Sequence, residues 1–144
     1  MPNGPGQTLT LPARLVRLAD AVAFVDAFCR REGIARTDSL RLTLAVEELF
    51  TNTVTHGHGS DCDAPIRLTL RADSARLLLD YADSAPPFDP QEGLASTAGA
   101  LDADVGERPV GGLGLALVAG LADDMRHAYA DGGNRLQLIL RRQG

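Results

Sequence analysis

A carboxylate and a carboxamide four residues apart are the first side chains in this sequence that could do chemistry together. Glu48 and Asn52 lie within Leu42–Gly59, whose apolar spacing predicts a helix with a core-facing stripe formed by Leu42, Ala45, Val46, Leu49 and Thr53. Residues four apart stack on one helix face, so the pair borders that stripe. A carboxylate can take a proton from a hydroxyl group, and an amide oxygen can ligate a hard cation. The pair predicts a polar site, although an isolated pair with this spacing more often lies on a solvated helix surface.

Asp83 is the second candidate, because it continues the inward-facing row of a predicted strand. In Leu77–Asp83 the strand alternation places Asp83 on the same face as the apolar residues, whereas Asp80 points the other way. A carboxylate on an inward face costs free energy unless it has a partner. The pattern therefore predicts that Asp83 belongs to a site and that Asp80 lies on the surface.

A glycine-rich stretch at the start of a helical pattern is the third candidate. Gly111, Gly112, Leu113 and Gly114 run directly into Leu115–Leu121. Glycines let the backbone approach an anion closely, and the free amides at a helix start favour phosphate. No lysine follows, which excludes a P-loop, and no strand–helix–strand unit surrounds the stretch, which excludes a dinucleotide fingerprint. Alone, the stretch is also compatible with a hinge or a helix-entry turn.

The elements that must position these residues follow from apolar periodicity and turn residues. Gly33 is expected to end the first helix, and Thr37 or Asp38 to cap the second. The predicted elements are an edge strand at Thr8–Leu11, helices at Leu15–Arg31 and around Leu42–Gly59, strands at Ile66–Arg71 and Leu77–Asp83, a lid at Gln91–Val110, a helix at Leu115–Leu121 and a hairpin of Met125–Ala130 with Asn134–Arg141.

The strands occur in hairpins rather than in strand–helix–strand units, which predicts a mostly antiparallel sheet with helices on one face. The fold class is therefore α+β, a two-layer α/β sandwich. With 144 residues the chain is expected to form one domain at residues 8–144, preceded by a flexible tail at residues 1–7.

Composition excludes several classes of function. The net charge of −5 argues against a nucleic-acid partner, and no apolar run is long enough for a membrane span. No signal peptide is evident, and the separated Cys29 and Cys62 do not form a disulfide framework, so a cytoplasmic location is expected. All 14 basic residues are arginine, so a cationic contact to phosphate would come from arginine.

In this order and spacing the three motifs resemble the Bergerat-fold nucleotide site of the GHKL ATPases. Within that superfamily the chain looks most like the anti-sigma factor serine kinases of bacterial partner-switching systems. The similarity extends from about Leu9 to Arg141. Ala45–Gly57 resembles the N-box, Asp83–Pro90 the first glycine box, and Gly111–Asp123 the second glycine box.

The resemblance implies a role for each candidate residue. Glu48 would be the base that activates the attacking hydroxyl, Asn52 the Mg²⁺ ligand, and Asp83 the acceptor for the exocyclic amine of adenine. Arg108 is the candidate for charge on the γ-phosphate. The remaining nucleotide-binding residues implied by the two glycine boxes are Ala85, Phe88, Gly111, Gly112, Leu113, Gly114 and Leu115.

Ala85 departs from the family pattern, which usually has glycine two residues after the aspartate. If the backbone there has a positive φ, alanine costs about 1 kcal/mol. The methyl group could also crowd the adenine. Both effects would weaken the binding of nucleotide.

The activity implied by the resemblance is ATP- and Mg²⁺-dependent phosphorylation of a serine on a STAS-type anti-anti-sigma protein. In its other state the chain would bind a sigma factor or an equivalent regulator, and it would form a homodimer. A sequestering module without kinase activity is the main alternative, and a catalytic domain of a sensor histidine kinase is another. His56, His58, Asp61, Cys62 and Asp63 match no standard zinc spacing, so a metal cluster is disfavoured.

Overall fold

The computed structural model describes residues 6–87 and 118–144, which form two long helices, a helical segment at residues 118–121 and a five-stranded sheet. A short 3-10 turn at Leu15–Arg17 precedes the first helix, and a π-helical turn at Thr53–Gly57 extends the second. The elements are β1 (Gln7–Pro12), α1 (Leu18–Arg31), α2 (Arg36–Asn52), β2 (Pro65–Ala72), β3 (Arg76–Asp83), β4 (Asp124–Ala130) and β5 (Gly133–Arg141).

The sheet has the strand order β1-β2-β3-β5-β4, and all of its strand pairs are antiparallel. One face of the sheet, here called the inner face, packs against α1 and α2 in a single hydrophobic core. The opposite face is called the outer face. This two-layer α+β arrangement confirms the predicted fold class.

The core-facing stripe of α2 is the one predicted from its periodicity. Its residues Leu42, Ala45, Val46, Leu49 and Thr53 are all buried. Their spacing of three and four residues keeps them on one side of the helix, where they cover the inner face of the sheet. The stripe fixes the rotation of α2, and therefore the side on which Glu48 and Asn52 lie.

The buried face of α1 leaves out two of the apolar residues in the predicted helix Leu15–Arg31. Leu15 is 43% exposed and Ala27 is exposed, whereas Ala21 and Phe28 are buried. The α-helical hydrogen bonds begin only at Leu18, after the 3-10 turn, so Leu15 is not in phase with the rest of the helix.

The predicted end of α1 is confirmed, and the predicted cap of α2 is wrong. Gly33 has φ +65, as expected of a glycine just beyond a helix. Helix α2 begins at Arg36 with Ala35 at the N-cap and no side-chain cap, so neither Thr37 nor Asp38 caps it.

Asp38 instead makes long-range contacts. Its fully buried carboxylate accepts hydrogen bonds from the backbone N–H groups of Gln143 and Gly144, at 3.0 and 3.3 Å, and from Arg41 at 3.2 Å. The carboxylate therefore ties the first turn of α2 to residues beyond β5 and is not available to cap its own helix.

The hairpin of β4 and β5 turns through two residues, Asp131 and Gly132, with φ values of 56° and 78°. Two successive positive φ values are typical of the type I′ turn, which suits the twist of antiparallel strands. The predicted hairpin is confirmed. Its register places Asn134 directly opposite Asp83 on the neighbouring strand β3.

Candidate functional site

Glu48 and Asn52 lie on the last turns of α2, and both are partly buried. Within the described residues, the amide nitrogen Nδ2 of Asn52 is buried and has no hydrogen-bond partner. Buried polar groups in folded proteins are almost always paired, with protein, water or ligand. An orphaned amide at this position therefore fits a site that an external polar group completes.

A π-helical turn follows Asn52 immediately. The N–H of His58 donates to the carbonyl of Thr53 across five residues, at 2.9 Å. Such turns widen a helix locally and occur frequently at functional sites. Here the turn directs the Thr53 side chain towards the sheet and brings Gly57 against Ala85.

Asp83 lies at the end of β3, on the inner face of the sheet, and is only 6% exposed. Its Oδ1 accepts hydrogen bonds from the Ala85 N–H at 3.1 Å and from Asn134 Nδ2 at 2.9 Å. Its Oδ2 accepts one from the hydroxyl of Thr53 at 2.9 Å. A carboxylate has about four acceptor positions. Among the described residues, one position on Oδ2 therefore remains open for a further donor.

Thr53 joins the end of α2 to the end of β3. Its hydroxyl oxygen lies 3.0 Å from the carbonyl of Leu49 and also contacts the hydroxyl of Tyr81, which lies 3.0 Å from the same carbonyl. Each hydroxyl has one hydrogen. The Thr53 hydrogen can therefore go to Asp83 or to the Leu49 carbonyl, but not to both. When Thr53 donates to Asp83, the Leu49 carbonyl accepts a hydrogen bond from Tyr81.

The Tyr81 side chain is held in the protonated form that this pattern needs. Burial raises the pKa of the Tyr81 phenol well above its ordinary value, and the nearby Asp83 carboxylate raises it further, against the hydrogen bond with Thr53. The phenol therefore remains a hydrogen-bond donor throughout the neutral pH range.

Asn134 fixes the turn that follows β3. Its Nδ2 donates to Asp83, to the carbonyl of Ala85 at 3.2 Å and to that of Pro86 at 2.9 Å, and its Oδ1 lies 3.0 Å from His127 Nε2. The side chain is 1% exposed. Asn134 therefore holds both the carboxylate of Asp83 and the backbone that leads away from it.

The neighbouring Gly133 allows β5 to approach the end of β3 closely. A Cβ atom at this position would lie 2.1 Å from the carbonyl oxygen of Asp83. Such a distance is far inside van der Waals contact, so only glycine fits without displacement of one of the strands.

Ala85 is accommodated without the backbone strain expected from the sequence. Among the described residues Asp131 is the only non-glycine residue with a positive φ, so Ala85 does not have the conformation that would penalise alanine. Its side chain is fully buried against Gly57, whose added Cβ would lie 2.7 Å from the methyl of Ala85. The expectation of strain at Ala85 is therefore wrong.

The structure brings α2 with Glu48 and Asn52 next to the strand end with Asp83, through the hydrogen bond of Thr53. Sequence reasoning missed three residues here: Thr53, which it assigned only to the core stripe, Tyr81 and Asn134. The sequence signal that could have found Tyr81 and Asn134 was a side chain with polar atoms in the inward-facing row of a predicted strand. The predicted site residues that lie outside the described ranges are Phe88, Arg108, Gly111, Gly112, Leu113, Gly114 and Leu115.

Comparison with known proteins defines the class to which this chain belongs. Residues 11–140 match the histidine kinase-like ATPase domain family, and the chain is a member of it. Membership implies ATP binding. Within the described ranges, no helix is long and apolar enough to cross a membrane.

A curated relative has in its name the activity that the sequence resemblance implies. The serine/threonine-protein kinase BtrW of Bordetella bronchiseptica is 28% identical over 131 residues, which cover 91% of this chain and 90% of BtrW.

Solved structures confirm the fold. The SiaB-SiaC complex of Pseudomonas aeruginosa superposes with a TM-score of 0.66 at 10% identity, covering 93% of this chain and 88% of that one. The RsbU and RsbW domains of Rv1364c from Mycobacterium tuberculosis give a TM-score of 0.65 at 18% identity and 96% coverage of this chain. The present chain spans 33% of the length of that protein.

Proposed function

We propose that this protein is an ATP-dependent protein serine kinase whose substrate is a STAS-type anti-anti-sigma protein. The observation that carries the proposal is the buried Asp83, which accepts from three donors among the described residues and has one acceptor position left there. It lies beside the helix end that bears Glu48 and Asn52. The name of BtrW, a serine/threonine-protein kinase, supports the same activity.

Asp83 recognises the adenine in this proposal. The exocyclic amine of adenine donates to the remaining position on Oδ2, while Thr53 and Asn134 keep the carboxylate from rotating. A rigid acceptor loses little entropy when the base binds. The direction of the Ala85 side chain, towards Gly57, supports a pocket that tolerates alanine in place of glycine.

Glu48 and Asn52 serve the phosphoryl group in this proposal. ATP supplies the γ-phosphoryl group, and Mg²⁺ neutralises its charge when bound. Asn52 holds the cation through its side-chain oxygen. Glu48 takes the proton of the substrate serine as the serine oxygen bonds to phosphorus and the bond from phosphorus to ADP breaks. Positioning and charge neutralisation provide most of the rate in such reactions, so few residues are needed.

The proposal includes a second partner, a sigma factor or equivalent regulator, which this protein binds in the state in which it is not bound to the antagonist. Phosphorylation of the antagonist adds a charge of about −2 at its interface with this protein, which is sufficient to separate the two. The solved SiaB-SiaC assembly supports a protein partner for this fold. A cytoplasmic location and a homodimer belong to the same proposal.

Calorimetric titration with ATP and Mg²⁺ tests the nucleotide site. We expect micromolar binding to the unmodified protein and a loss of about 100-fold or more in Asp83→Asn, because the amide presents a donor where adenine also donates. Asp80→Asn is the matched control, since it makes the same change three residues away on the outer face. Equal affinity in all three proteins, or no binding to any of them, would overturn the nucleotide site.

A phosphorylation assay tests the kinase. Radiolabelled ATP and a purified STAS protein should yield a labelled serine, and Glu48→Gln should reduce the rate by about 100-fold or more while ATP still binds. Glu47→Gln, the adjacent residue, should retain most of the activity. ATP binding without any phosphoryl transfer would instead establish the alternative, a sequestering module.

A further inference from the structure

The outer face of the sheet has an unusual concentration of arginine. Strand parity places six arginines and two aspartates there, in a chain whose net charge is −5. Together they form what we call the arginine face: Arg67 and Arg71 on β2, Arg76 on β3, Arg126 on β4 and Arg135 and Arg141 on β5, with Asp80 and Asp124.

The arginine face is concave as well as charged. A depression of about 580 Å³ runs across its middle, lined on its two sides by Arg67 with Arg71 and by Arg126 with Arg135. Its polar lining includes Thr8, Thr69, Asp80 and Gln137. A depression with this lining can receive several polar or charged side chains from another molecule.

Only part of the positive charge around the depression is neutralised within the described residues, where Arg126 pairs with Asp124 at 3.2 Å. Arg67 is exposed and has no ion pair there, and Arg135 reaches its only carboxylate, Asp131, at 3.9 Å, at the hairpin tip. Asp80 is shared between Arg71 at 3.4 Å and Gln137 at 3.2 Å. The long distances and the exposure make these contacts easy to exchange for those of a partner.

We propose that the arginine face is a docking surface for an acidic segment of a partner protein, separate from the nucleotide site. Asp83 lies on the inner face of the sheet and the arginines lie on the outer face, so the two sites can be occupied at the same time. Guanidinium groups match carboxylates in a bidentate geometry, and threonine and glutamine between them can bond the backbone of a polypeptide.

The chemistry of the arginine face favours an acidic polypeptide over other occupants. No described residue with outward parity on the five strands is aromatic, so the face offers no platform on which bases could stack. A second copy of the chain is disfavoured at this face, because like charges would oppose each other.

Fluorescence anisotropy with a labelled oligoglutamate peptide tests the proposal. We expect binding at low ionic strength that weakens with salt, and a loss of about tenfold or more in Arg67→Glu combined with Arg135→Glu. The matched control is Arg31→Glu with Arg36→Glu, which changes the net charge equally on the helices and should retain most of the affinity. Saturating ATP should leave the peptide affinity unchanged.

Several results would overturn the proposal. Equal losses in the two double variants would mean that only net charge matters. Tighter binding of a single-stranded oligonucleotide, or of phosphatidylserine vesicles, than of the peptide would assign the face to nucleic acid or lipid. A dimer dissociated only by the Arg67 and Arg135 changes would assign it to a second copy of the chain.

Two further measurements keep the test decisive. If thermal unfolding shows that the charge-reversed variant is not folded, Arg67→Gln with Arg135→Gln takes its place, and an unchanged affinity in that variant overturns the proposal. Hydrogen exchange should show that the peptide protects β2 and β5 rather than α1. The peptide-binding measurement is independent of the proposed kinase activity, because peptide binding needs neither ATP nor phosphoryl transfer.

Discussion

Two aspartates three residues apart on β3 have very different environments. Asp83, on the inner face, is 6% exposed and accepts hydrogen bonds of 2.9, 2.9 and 3.1 Å from three protein donors. Asp80, on the outer face, has a side chain that is 39% exposed and contacts at 3.4 and 3.2 Å. The same residue type is therefore a fixed acceptor on one side of the sheet and an exchangeable charge on the other.

The difference between the two aspartates follows from the access of water to each face of the sheet. On the inner face a hydrogen bond that is lost leaves a buried group unpaired, which costs about 1–3 kcal/mol. On the outer face water replaces a lost partner, and an exposed ion pair contributes about 0–1 kcal/mol. Substitutions of equal size on the two faces should therefore change the free energy of unfolding by unequal amounts. Such pairs of substitutions test the comparison directly.

The largest effect is expected from Asn134→Ala. The change removes the donor to Asp83 and to the carbonyls of Ala85 and Pro86, so we expect a loss of about 3 kcal/mol in the free energy of unfolding. Chemical denaturation measures this, and titration should show weaker binding of ATP. Gln137→Ala, on the same strand but facing outward, should cost less than about 0.5 kcal/mol. Equal losses in both variants would contradict the distinction between the faces.

A smaller effect is expected where the π-helical turn meets the strand end. Gly57→Ala would bring two methyl groups within 2.7 Å, at a cost of about 2 kcal/mol. Ala85→Gly in the same chain should restore most of the stability, so the double mutant is not additive. Gly120→Ala is the control, because an added Cβ there meets no atom within 4 Å. Additive losses at positions 57 and 85 would exclude the contact.

The smallest effect, with a characteristic pH dependence, is expected from Tyr81→Phe. At neutral pH the lost hydrogen bond costs about 1 kcal/mol. Burial raises the pKa of Tyr81, so the unfolded chain, in which the phenol ionises at about pH 10, loses its proton first. The stability of the unmodified protein should therefore fall above about pH 10, and the difference between the two proteins should shrink there.

Tyr129 provides the control for this pH dependence, because its side chain is 46% exposed. Tyr129→Phe should change neither the stability at neutral pH nor its decline in alkali. A decline that is the same in the Tyr81→Phe variant as in the unmodified protein would mean that other groups cause it.

Local patterns were sufficient to predict much of the fold. The stripe of α2 from Leu42 to Thr53 and the inward parity of Asp83 follow from periods of 3.6 and 2, which depend only on neighbouring residues. The hairpin of β4 and β5 was predicted for the same reason, since the residue preferences of its turn, which the structure places at Asp131 and Gly132, are local.

The errors concern residues whose partners are distant in sequence. Asp38 has the right type for a helix cap, but it bonds Gln143 and Gly144, 105 and 106 residues away. Thr53 and Asn134 likewise bond Asp83 across 30 and 51 residues. No periodic pattern specifies such pairs, because they depend on how the finished elements pack together.

The contact of Gly57 with Ala85 has a consequence for the evolution of this site. The two positions share one small volume that holds a single methyl group, and here the methyl belongs to residue 85. A lineage could exchange alanine and glycine between the positions only through an intermediate with two glycines, since two alanines would collide. Substitutions at 57 and 85 among descendants should therefore be correlated.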